Sequence, residues 1–153
     1  MERTLVLLKP DALQRAIAME LLARFERRGL RFVALKLVQI EESLARRHYA
    51  VHEGKFFFDD LVQHLTSGPV VAAVLQGPEA IQVVRTIVGA TRPHEAAAGT
   101  IRGDYALAGL RNLIHASDAP DTAREEIELH FDAHELVGYA RGLDAWIVED
   151  AAE

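Results

Sequence analysis

The sequence predicts an α/β (α+β) fold of the ferredoxin-like βαββαβ type, in which helices cover one face of a four-stranded antiparallel sheet. Two observations predict it. Short apolar runs such as TLVLLK and VVAAVL are typical of buried strands. Between these runs, apolar residues recur every three or four positions, as on the buried side of an amphipathic helix. The elements follow the order strand, helix, strand, inserted helical pair, strand, helix, long loop, strand and helix, which is βαββαβ with one insertion.

Length, charge and composition restrict the class of protein. The 153 residues suit one domain, predicted over residues 1–153, because compact domains commonly hold about 100–200 residues. No apolar run is long enough to span a membrane and no signal-peptide pattern follows Met1, so we expect a cytoplasmic protein with no membrane partner. A net charge of −6 argues against a nucleic-acid partner. The absence of cysteine excludes disulfides, thiolate metal sites and cysteine nucleophiles.

The first third of the chain contains two predicted strands and a helix. The first strand covers residues 4–9 and stops at Pro10, which has no amide hydrogen for a sheet. A helix follows over residues 16–28, with Gly29 as a suitable cap just beyond its end. The second strand covers residues 30–40.

The inserted helical pair separates the second strand from the third. Its first helix is predicted over residues 43–49 with Ser43 as the N-cap. Its second helix is predicted over residues 58–65 and ends before Ser67-Gly68-Pro69, which breaks helices. The third strand then covers residues 70–75.

The last part of the predicted fold contains a long irregular loop. A helix begins with Pro78 in its first turn and ends near Gly89. Residues 89–106 form the loop, and loops of that length in compact domains are usually functional or disordered. The fourth strand is predicted over residues 110–116 and the last helix over residues 118–131.

Two pairs of histidines have the spacing of metal ligands on a helix. His48 and His52 lie in HYAVH, and His130 and His134 lie in HFDAH, each pair four residues apart. Neither pair has the glutamate of an HExxH zinc motif. Seven histidines in 153 residues produce such spacings by chance, so we interpret both pairs as surface histidines.

Arginines offer the better indication of a ligand site, namely one for phosphate. The chain has no glycine-rich phosphate loop of the GxxxxGK[ST] or GxGxxG kind. Arg85, Arg92 and Arg102 flank or lie within the long loop, beside the hydroxyls of Thr91 and Thr100. The planar, permanently charged guanidinium suits phosphate oxygens, although surface arginines are also ordinary in a chain with 14 of them.

His115, in the segment NLIHASD, has two interpretations. A neutral imidazole at the end of a strand can attack phosphorus if a carboxylate orients its other ring nitrogen. Glu125, Glu126 and Glu128 on the following helix are all candidates for that carboxylate. Alternatively, His115 is a structural histidine with satisfied hydrogen bonds. The residues themselves leave both interpretations open.

Two rare residue types stand close to these candidates. Asn112 is the only asparagine of the chain, and it lies three residues before His115. Lys9 is one of three lysines, and it ends the first apolar run. The chain contains few residues of either type, so we interpret the presence of Asn112 and Lys9 as functional rather than as a result of coding bias.

The chain resembles nucleoside diphosphate kinases. The blocks ERTLVLLKPDALQR, HY, FF, SGPVVAAVL, VGATRP, GTIRGDY and RNLIHASD have the order and spacing of that family. The resemblance runs from Glu2 to Trp146, and NLIHASD closely matches the active-site pattern NxxH[GA]SD. Departures occur at Arg92, at Lys55-Phe56 and at Gly109, around the expected base-binding region.

The resemblance implies an enzyme that transfers the γ-phosphoryl of a nucleoside triphosphate, typically ATP, to a nucleoside diphosphate. The reaction would be ping-pong, with a phosphohistidine at His115 between its two halves. The resemblance also implies that Glu126 orients His115, that Ser117 supports Glu126, and that Tyr49 lies beside the transferring group. Lys9 belongs to this catalytic set because it lies near the γ-phosphate.

The resemblance implies a nucleotide-binding set as well. Lys9 and Asn112 would hold the ribose hydroxyls, while Arg85, Thr91 and Arg102 would contact the phosphates. These groups would position the phosphates and stabilise the charge of the transition state.

The base and the metal complete what the resemblance implies. Phe57 would stack on the base, with Leu61 adjacent to it. Mg²⁺ would be the cofactor, bridged mainly by the phosphates of the nucleotide, with no dedicated protein ligands. Family members are homo-oligomers, so a hexamer or a tetramer is expected. The alternative function is a non-catalytic relative that binds nucleotides or proteins; a phosphohistidine carrier has no need of a nucleoside clamp.

Overall fold

The computed structural model describes residues 1–149 and contains one antiparallel sheet of four strands. The last four residues of the domain predicted over residues 1–153 lie outside the described part. The sheet order is β2-β3-β1-β4, and every neighbouring pair is antiparallel. The strands are β1 Glu2–Leu8, β2 Arg31–Val38, β3 Val70–Gly77 and β4 Ile114–Ala116. The sheet thus confirms the predicted four-stranded antiparallel arrangement.

Helices connect the strands in the predicted order, and the described chain adds short helices that sequence periodicity could not predict. The helices are α1 Pro10–Gln14, α2 Ala18–Arg27, α3 Glu42–His48, α4 Phe58–Thr66, α5 Ala80–Val88, α6 Ile101–Tyr105, α7 Pro120–His130 and α8 Asp144–Ile147. Single 3₁₀ turns lie at Ala50–His52, Pro93–Glu95 and Ala133–Glu135. Among residues 1–149, no helix is both long and apolar enough to cross a membrane.

Helices cover both faces of the sheet, so the expectation of one covered face was wrong. Val6 and Leu8 of β1 pack in the core on one face with α2 and α5. Leu5 and Leu7 point to the opposite face and pack with the inserted pair α3 and α4 and with the end of α7. The alternating strand side chains therefore meet an apolar layer on each side. This explains why β1 and β3 are continuous apolar runs rather than alternating ones.

Three helices begin at other residues than predicted. The helix predicted from residue 16 begins at Ala18, because Ala16 has a positive φ of 55° and separates α1 from α2. The N-cap of α3 is Glu41 rather than Ser43, with no side-chain cap hydrogen bond. Helix α5 begins at Ala80, because Glu79 adopts the left-handed conformation with φ 48°.

The fourth strand is shorter than predicted because the chain turns sharply before it. Leu113 has φ 74°, and the amide of Ile114 donates to the carbonyl of Asn112 at 2.9 Å, which closes a γ-turn. A buried leucine at positive φ is strained, and such strain persists only where the surroundings hold it. The carboxylate of Asp11 accepts a hydrogen bond from the Leu113 amide at 3.1 Å. The turn and its support from α1 set the position at which β4 begins.

The predicted long loop contains a helix. Helix α6 lies within residues 89–106, and the hydroxyl of Thr100 caps it by accepting a hydrogen bond from the Gly103 amide at 3.0 Å. Gly89, the first residue of the loop, has φ 85° and ψ 177°, a conformation essentially restricted to glycine. A Cβ at Gly89 would lie 2.4 Å from the Thr100 hydroxyl oxygen. Glycine is therefore required both for the conformation and for the close approach of α6.

Candidate active site

One cavity of about 1100 Å³ receives side chains from Lys9 just after β1, from β4 and from the segments around α3, α4, α5, α6 and α7. It brings together residues that lie far apart in the sequence. Ten of the eleven predicted site residues line it, and Ser117 lies buried behind it. The ten are Lys9, Tyr49, Phe57, Leu61, Arg85, Thr91, Arg102, Asn112, His115 and Glu126.

His115 and Glu126 form a hydrogen-bonded pair that lines this cavity. His115 Nε2 lies 2.9 Å from Glu126 Oε2, and the Ser117 hydroxyl donates to the same oxygen at 2.5 Å. Nδ1 of His115 makes no hydrogen bond within residues 1–149. A carboxylate at Nε2 favours the tautomer with the proton on that nitrogen, which leaves the lone pair on Nδ1. The imidazole is thus oriented as a nucleophile requires.

The electrostatic environment keeps that imidazole neutral. Burial, followed by the positive charge of Lys9, lowers the pKa of His115 from 6.5 to about 3. His115 still keeps 22% of its side-chain surface exposed, so its ring is accessible from the cavity. Burial also raises the pKa of Glu126, and the hydrogen bond from Ser117 opposes that shift. At neutral pH the arrangement therefore holds an unprotonated nucleophilic nitrogen.

Lys9 and Asn112 meet at the side of the cavity. The Lys9 ammonium donates to Asn112 Oδ1 at 2.7 Å, and Asn112 Nδ2 donates to the Thr91 carbonyl at 3.0 Å. Burial, with a contribution from the charge of Arg102, lowers the pKa of Lys9 to about 8. Lys9 is therefore still mostly charged at pH 7. Its remaining ammonium hydrogens suit an anionic ligand.

Arg102 fastens the loop to the strand that holds His115. Its guanidinium donates to three backbone carbonyls, those of Asn112 at 3.2 Å, Gly89 at 3.2 Å and Ile114 at 2.5 Å. The side chain is buried, and burial together with the charge of Arg85 lowers its pKa to about 10. Arg85 reaches the same strand, with a nitrogen 3.4 Å from the Ala116 carbonyl. Two guanidinium groups thus converge beside His115.

The other end of the cavity is aromatic and apolar. Phe57 is half-buried at the start of α4, and Leu61 follows it one turn later on the same helix. The neighbouring Phe56 is 95% exposed, and Gly109 opposite has no atom within 4 Å of a would-be Cβ. Tyr49 lies between the two ends, where burial raises its pKa and keeps the phenol protonated. This end offers a flat face to a planar ring.

The structure separates some candidates that sequence patterns had grouped. Of the three glutamates after His115, Glu126 alone bonds to it among the described residues, although the exposed Glu125 also lines the cavity. Glu128 lies in another groove with Met1 and Arg3. Arg92 is exposed and pairs with its neighbour Glu95 at 3.5 Å rather than lining the cavity.

The interpretation of His48 and His130 as surface histidines was wrong. Both are buried, and His130 Nε2 lies 3.1 Å from His48 Nδ1. Neither i, i+4 pair places its two rings on one helical face, because α3 ends at His48 and α7 ends at His130. The contact joins one member of each pair across the fold, so sequence spacing could not reveal it. His48 also lies edge-on to His115, with ring centroids 4.4 Å apart.

One set of donors beside the cavity is compact enough to hold a metal ion. One donor atom each from His48, His115 and Glu126 lie within 4.8 Å of one another. Exposed carboxylates of Asp60, Asp118 and Glu125 also line the cavity. The compact set contains two imidazole nitrogens, whereas the three exposed carboxylates offer only oxygens and form no comparable cluster among residues 1–149.

Comparison with known proteins identifies the family. The family model described as nucleoside diphosphate kinase matches residues 2–136. The chain is 58% identical to the nucleoside diphosphate kinase of Roseiflexus castenholzii, over 97% of this chain and all of that protein.

Solved structures agree with this match. The structure of a halophilic nucleoside diphosphate kinase from Halobacterium salinarum in complex with CDP is 48% identical, with a TM-score of 0.95 over 97% of this chain and 99% of that one. A crystal structure of a nucleoside diphosphate kinase family protein from Babesia bovis is 41% identical, with a TM-score of 0.94 over 97% of this chain and all of that one. The chain therefore belongs to the nucleoside diphosphate kinase family.

Proposed function

We propose that this phosphotransferase, which acts between nucleotides as its family does, works through a phosphohistidine at His115. The observation that carries the proposal is the 2.9 Å contact between His115 Nε2 and Glu126 Oε2, with Nδ1 left unbonded within residues 1–149. Four cationic side chains line the same cavity, those of Lys9, Arg47, Arg85 and Arg102. A non-catalytic relative would need neither an oriented neutral imidazole nor that cluster of cations. The alternative function is therefore not favoured.

In the first half-reaction, the lone pair of His115 Nδ1 attacks the γ-phosphorus of a nucleoside triphosphate. The new nitrogen–phosphorus bond forms as the bond from phosphorus to the β,γ-bridging oxygen breaks, and the nucleoside diphosphate leaves. The imidazole becomes positively charged as it reacts, and the carboxylate of Glu126 stabilises that charge through Nε2. A different diphosphate then attacks the phosphohistidine, which reverses these steps and regenerates the free imidazole.

The cationic side chains would hold and align the phosphates. Arg85 and Arg102 converge beside His115, and the forked guanidinium suits phosphate oxygens. Lys9 and Asn112, already bonded to each other, would hold the ribose hydroxyls, with Lys9 also near the γ-phosphate. The Thr91 hydroxyl and the Tyr49 phenol would complete the polar wall. Positioning and charge stabilisation are most of what phosphoryl transfer requires.

Phe57 and Leu61 would bind the base. Every base has a π surface that can stack on an aromatic ring, so this contact tolerates different bases. The CDP complex of the Halobacterium relative supports nucleoside diphosphates as the acceptor class. Nucleoside triphosphates, typically ATP, would be the donors.

The cofactor is a divalent metal ion, and we propose Mg²⁺. Its preference for oxygen ligands fits the phosphates and the exposed Asp118 carboxylate, three residues from His115, which would hold the hydrated ion. The ion would neutralise phosphate charge when bound. We further propose one domain over residues 1–153, a cytoplasmic location and a homo-oligomer, either a hexamer or a tetramer.

The test of the proposal is isotopic labelling with γ-labelled ATP and Mg²⁺. We expect acid-labile, alkali-stable phosphate on His115, which added nucleoside diphosphate discharges as labelled triphosphate. His115→Ala should accept no label. Label that never appears, or that persists in His115→Ala, overturns the proposed mechanism.

A further inference from the structure

A buried cluster of nitrogen and oxygen donors lies behind the nucleophile, and the proposed reaction uses only part of it. One donor atom each from His48, His115 and Glu126 lie within 4.8 Å of one another, and all three residues line the cavity. His115 Nε2 and Glu126 Oε2 are 2.9 Å apart. The proposed phosphoryl transfer assigns no role to His48.

His48 carries an unsatisfied nitrogen that points to a ligand. The residue is only 8% exposed, and its Nδ1 is engaged by His130 Nε2 at 3.1 Å. Its Nε2 is buried and has no hydrogen-bond partner in residues 1–149. A buried polar atom without a partner lowers the stability of the folded state. A ligand that accepts a nitrogen lone pair would remove that cost.

We propose that His48, His115 and Glu126 form a binding site for Zn²⁺. The ligands are Nε2 of each histidine and Oε2 of the glutamate, with water from the cavity in the fourth position. Two imidazoles and a carboxylate select zinc over Mg²⁺, which prefers an all-oxygen shell. Tetrahedral bonds of about 2.0–2.1 Å separate ligand atoms by about 3.3 Å, so a small movement of the His48 ring closes the site.

Two further side chains support these ligands from behind. When His48 donates its Nδ1 hydrogen to His130, the lone pair of its Nε2 is free to bind the ion. The Ser117 hydroxyl donates to Glu126 Oε2 at 2.5 Å and fixes the direction of that carboxylate. Hydrogen bonds of this kind orient metal ligands in known sites, and their loss typically weakens binding about 10- to 100-fold.

Zinc at this position would inhibit phosphoryl transfer. A neutral imidazole that binds a metal through Nε2 carries its proton on Nδ1, so the proton of His115 moves from Nε2 to Nδ1 as zinc binds. Nδ1 then has no lone pair for attack on phosphorus, and Glu126 no longer accepts from the ring. Zinc binding itself does not depend on the proposed function, whereas the inhibition rests on it.

The first experiment measures Zn²⁺ binding to the nucleotide-free protein by competition with a chromophoric chelator. We expect one bound ion per chain. His130→Phe should weaken binding about 10- to 100-fold, and His48→Phe should weaken it more, because a ligand is lost. His94→Phe and His134→Phe remove exposed histidines and serve as matched controls. Binding that is unchanged in both His48→Phe and His130→Phe overturns the site.

The second experiment separates the zinc site from the proposed reaction. Labelling of His115 with γ-labelled ATP in excess Mg²⁺ should fall after zinc is preloaded and recover on chelation. In His48→Phe, labelling should be insensitive to zinc when expressed relative to that variant without zinc. If His48→Phe does not fold, His130→Phe replaces it in the test, and its labelling should be less sensitive to zinc than that of the unmodified protein. Undiminished labelling of zinc-loaded protein overturns the inhibition, whereas a lack of label without zinc contradicts only the proposed function.

Discussion

Glu126 concentrates two hydrogen bonds on one oxygen. Oε2 lies 2.9 Å from His115 Nε2 and accepts from the Ser117 hydroxyl at 2.5 Å. The neighbouring Glu125 lines the same cavity but is exposed and makes no bond to His115 within residues 1–149. A comparison of Glu126 with Glu125 therefore distinguishes a carboxylate that orients His115 from one that only adds a nearby charge.

We expect Glu126→Gln to slow phosphorylation of His115 on the order of 10²-fold, because the charge that stabilises the developing imidazolium is lost. Nucleotide affinity should change little, since this stabilisation is expressed mainly in the transition state. Single-turnover labelling gives the rate, and equilibrium titration of a diphosphate gives the affinity. Glu125→Gln is the control and should behave like the unmodified enzyme. A larger defect in Glu125→Gln would contradict the assignment.

At this scale the sequence predicted which residues share the cavity better than it predicted their contacts with one another. The resemblance selected Glu126 from three glutamates, whereas the residues alone could not, because the rotation of α7 against β4 depends on tertiary packing. The contact between His48 and His130 was not predicted at all. It joins positions 82 residues apart, and no local pattern encodes such a pair.

The side chain of Arg102 joins the loop that contains α6 to the strand that holds His115. Arg102 donates to the carbonyls of Gly89, Asn112 and Ile114, on both sides of the loop. Gly89, whose carbonyl accepts one of these bonds, is constrained in two ways. Its backbone conformation is one that only glycine adopts readily, and a Cβ there would clash with Thr100 at the start of α6. A change at Gly89 should displace the loop and Arg102 together.

We expect Gly89→Ala to lower the free energy of unfolding by about 2–5 kcal/mol, because backbone strain adds to a clash with Thr100. Gly54→Ala is the matched control: Gly54 also has positive φ, at 83°, but nothing lies within 4 Å of its would-be Cβ. Gly54→Ala should lower the free energy of unfolding by only roughly 1 kcal/mol. Urea denaturation measures both. Equal losses in the two variants would show that the contact with Thr100 contributes nothing.

Strands and helices were predicted correctly where their sequence carried a clear hydrophobic pattern. Strands β1 and β3 are buried on both faces, so their apolar runs were sufficient. Helices α1 and α6 have five residues each, too few for a helical period to be visible. Strand β4 was predicted too long because nothing in its sequence marks Leu113 as the centre of a γ-turn.

The whole molecule buries several histidines in their neutral form. Burial lowers the pKa of His115 to about 3 and of His130 to about 4, and it lowers that of His48 well below 6.5. In the unfolded chain these groups take up protons below about pH 6.5. The folded state does not, so protons favour unfolding. The stability associated with these groups is complete above pH 6.5 and decreases as the pH falls toward their folded pKa values.

We expect the melting temperature to fall between pH 6.5 and pH 4, and to fall less steeply in His130→Phe, which removes one of the three groups. His94→Phe is the control, because the side chain of His94 is 76% exposed. Calorimetry at several pH values gives both slopes. An unchanged slope in His130→Phe would mean that its burial does not contribute to acid sensitivity.

The hydrogen bond between Lys9 and Asn112 spans 103 residues, and the bond from the Leu113 amide to Asp11 spans 102. The γ-turn before His115 is thus held by the first helix of the chain, and Glu126 is supplied later still. During synthesis, a ribosome-bound chain that has not yet exposed Glu126 would lack the carboxylate that bonds to His115. Under the proposed mechanism, such a chain would not take phosphate from a nucleoside triphosphate, and phosphorylation of His115 would report a chain in which the segments around Lys9 and Asn112 have already met.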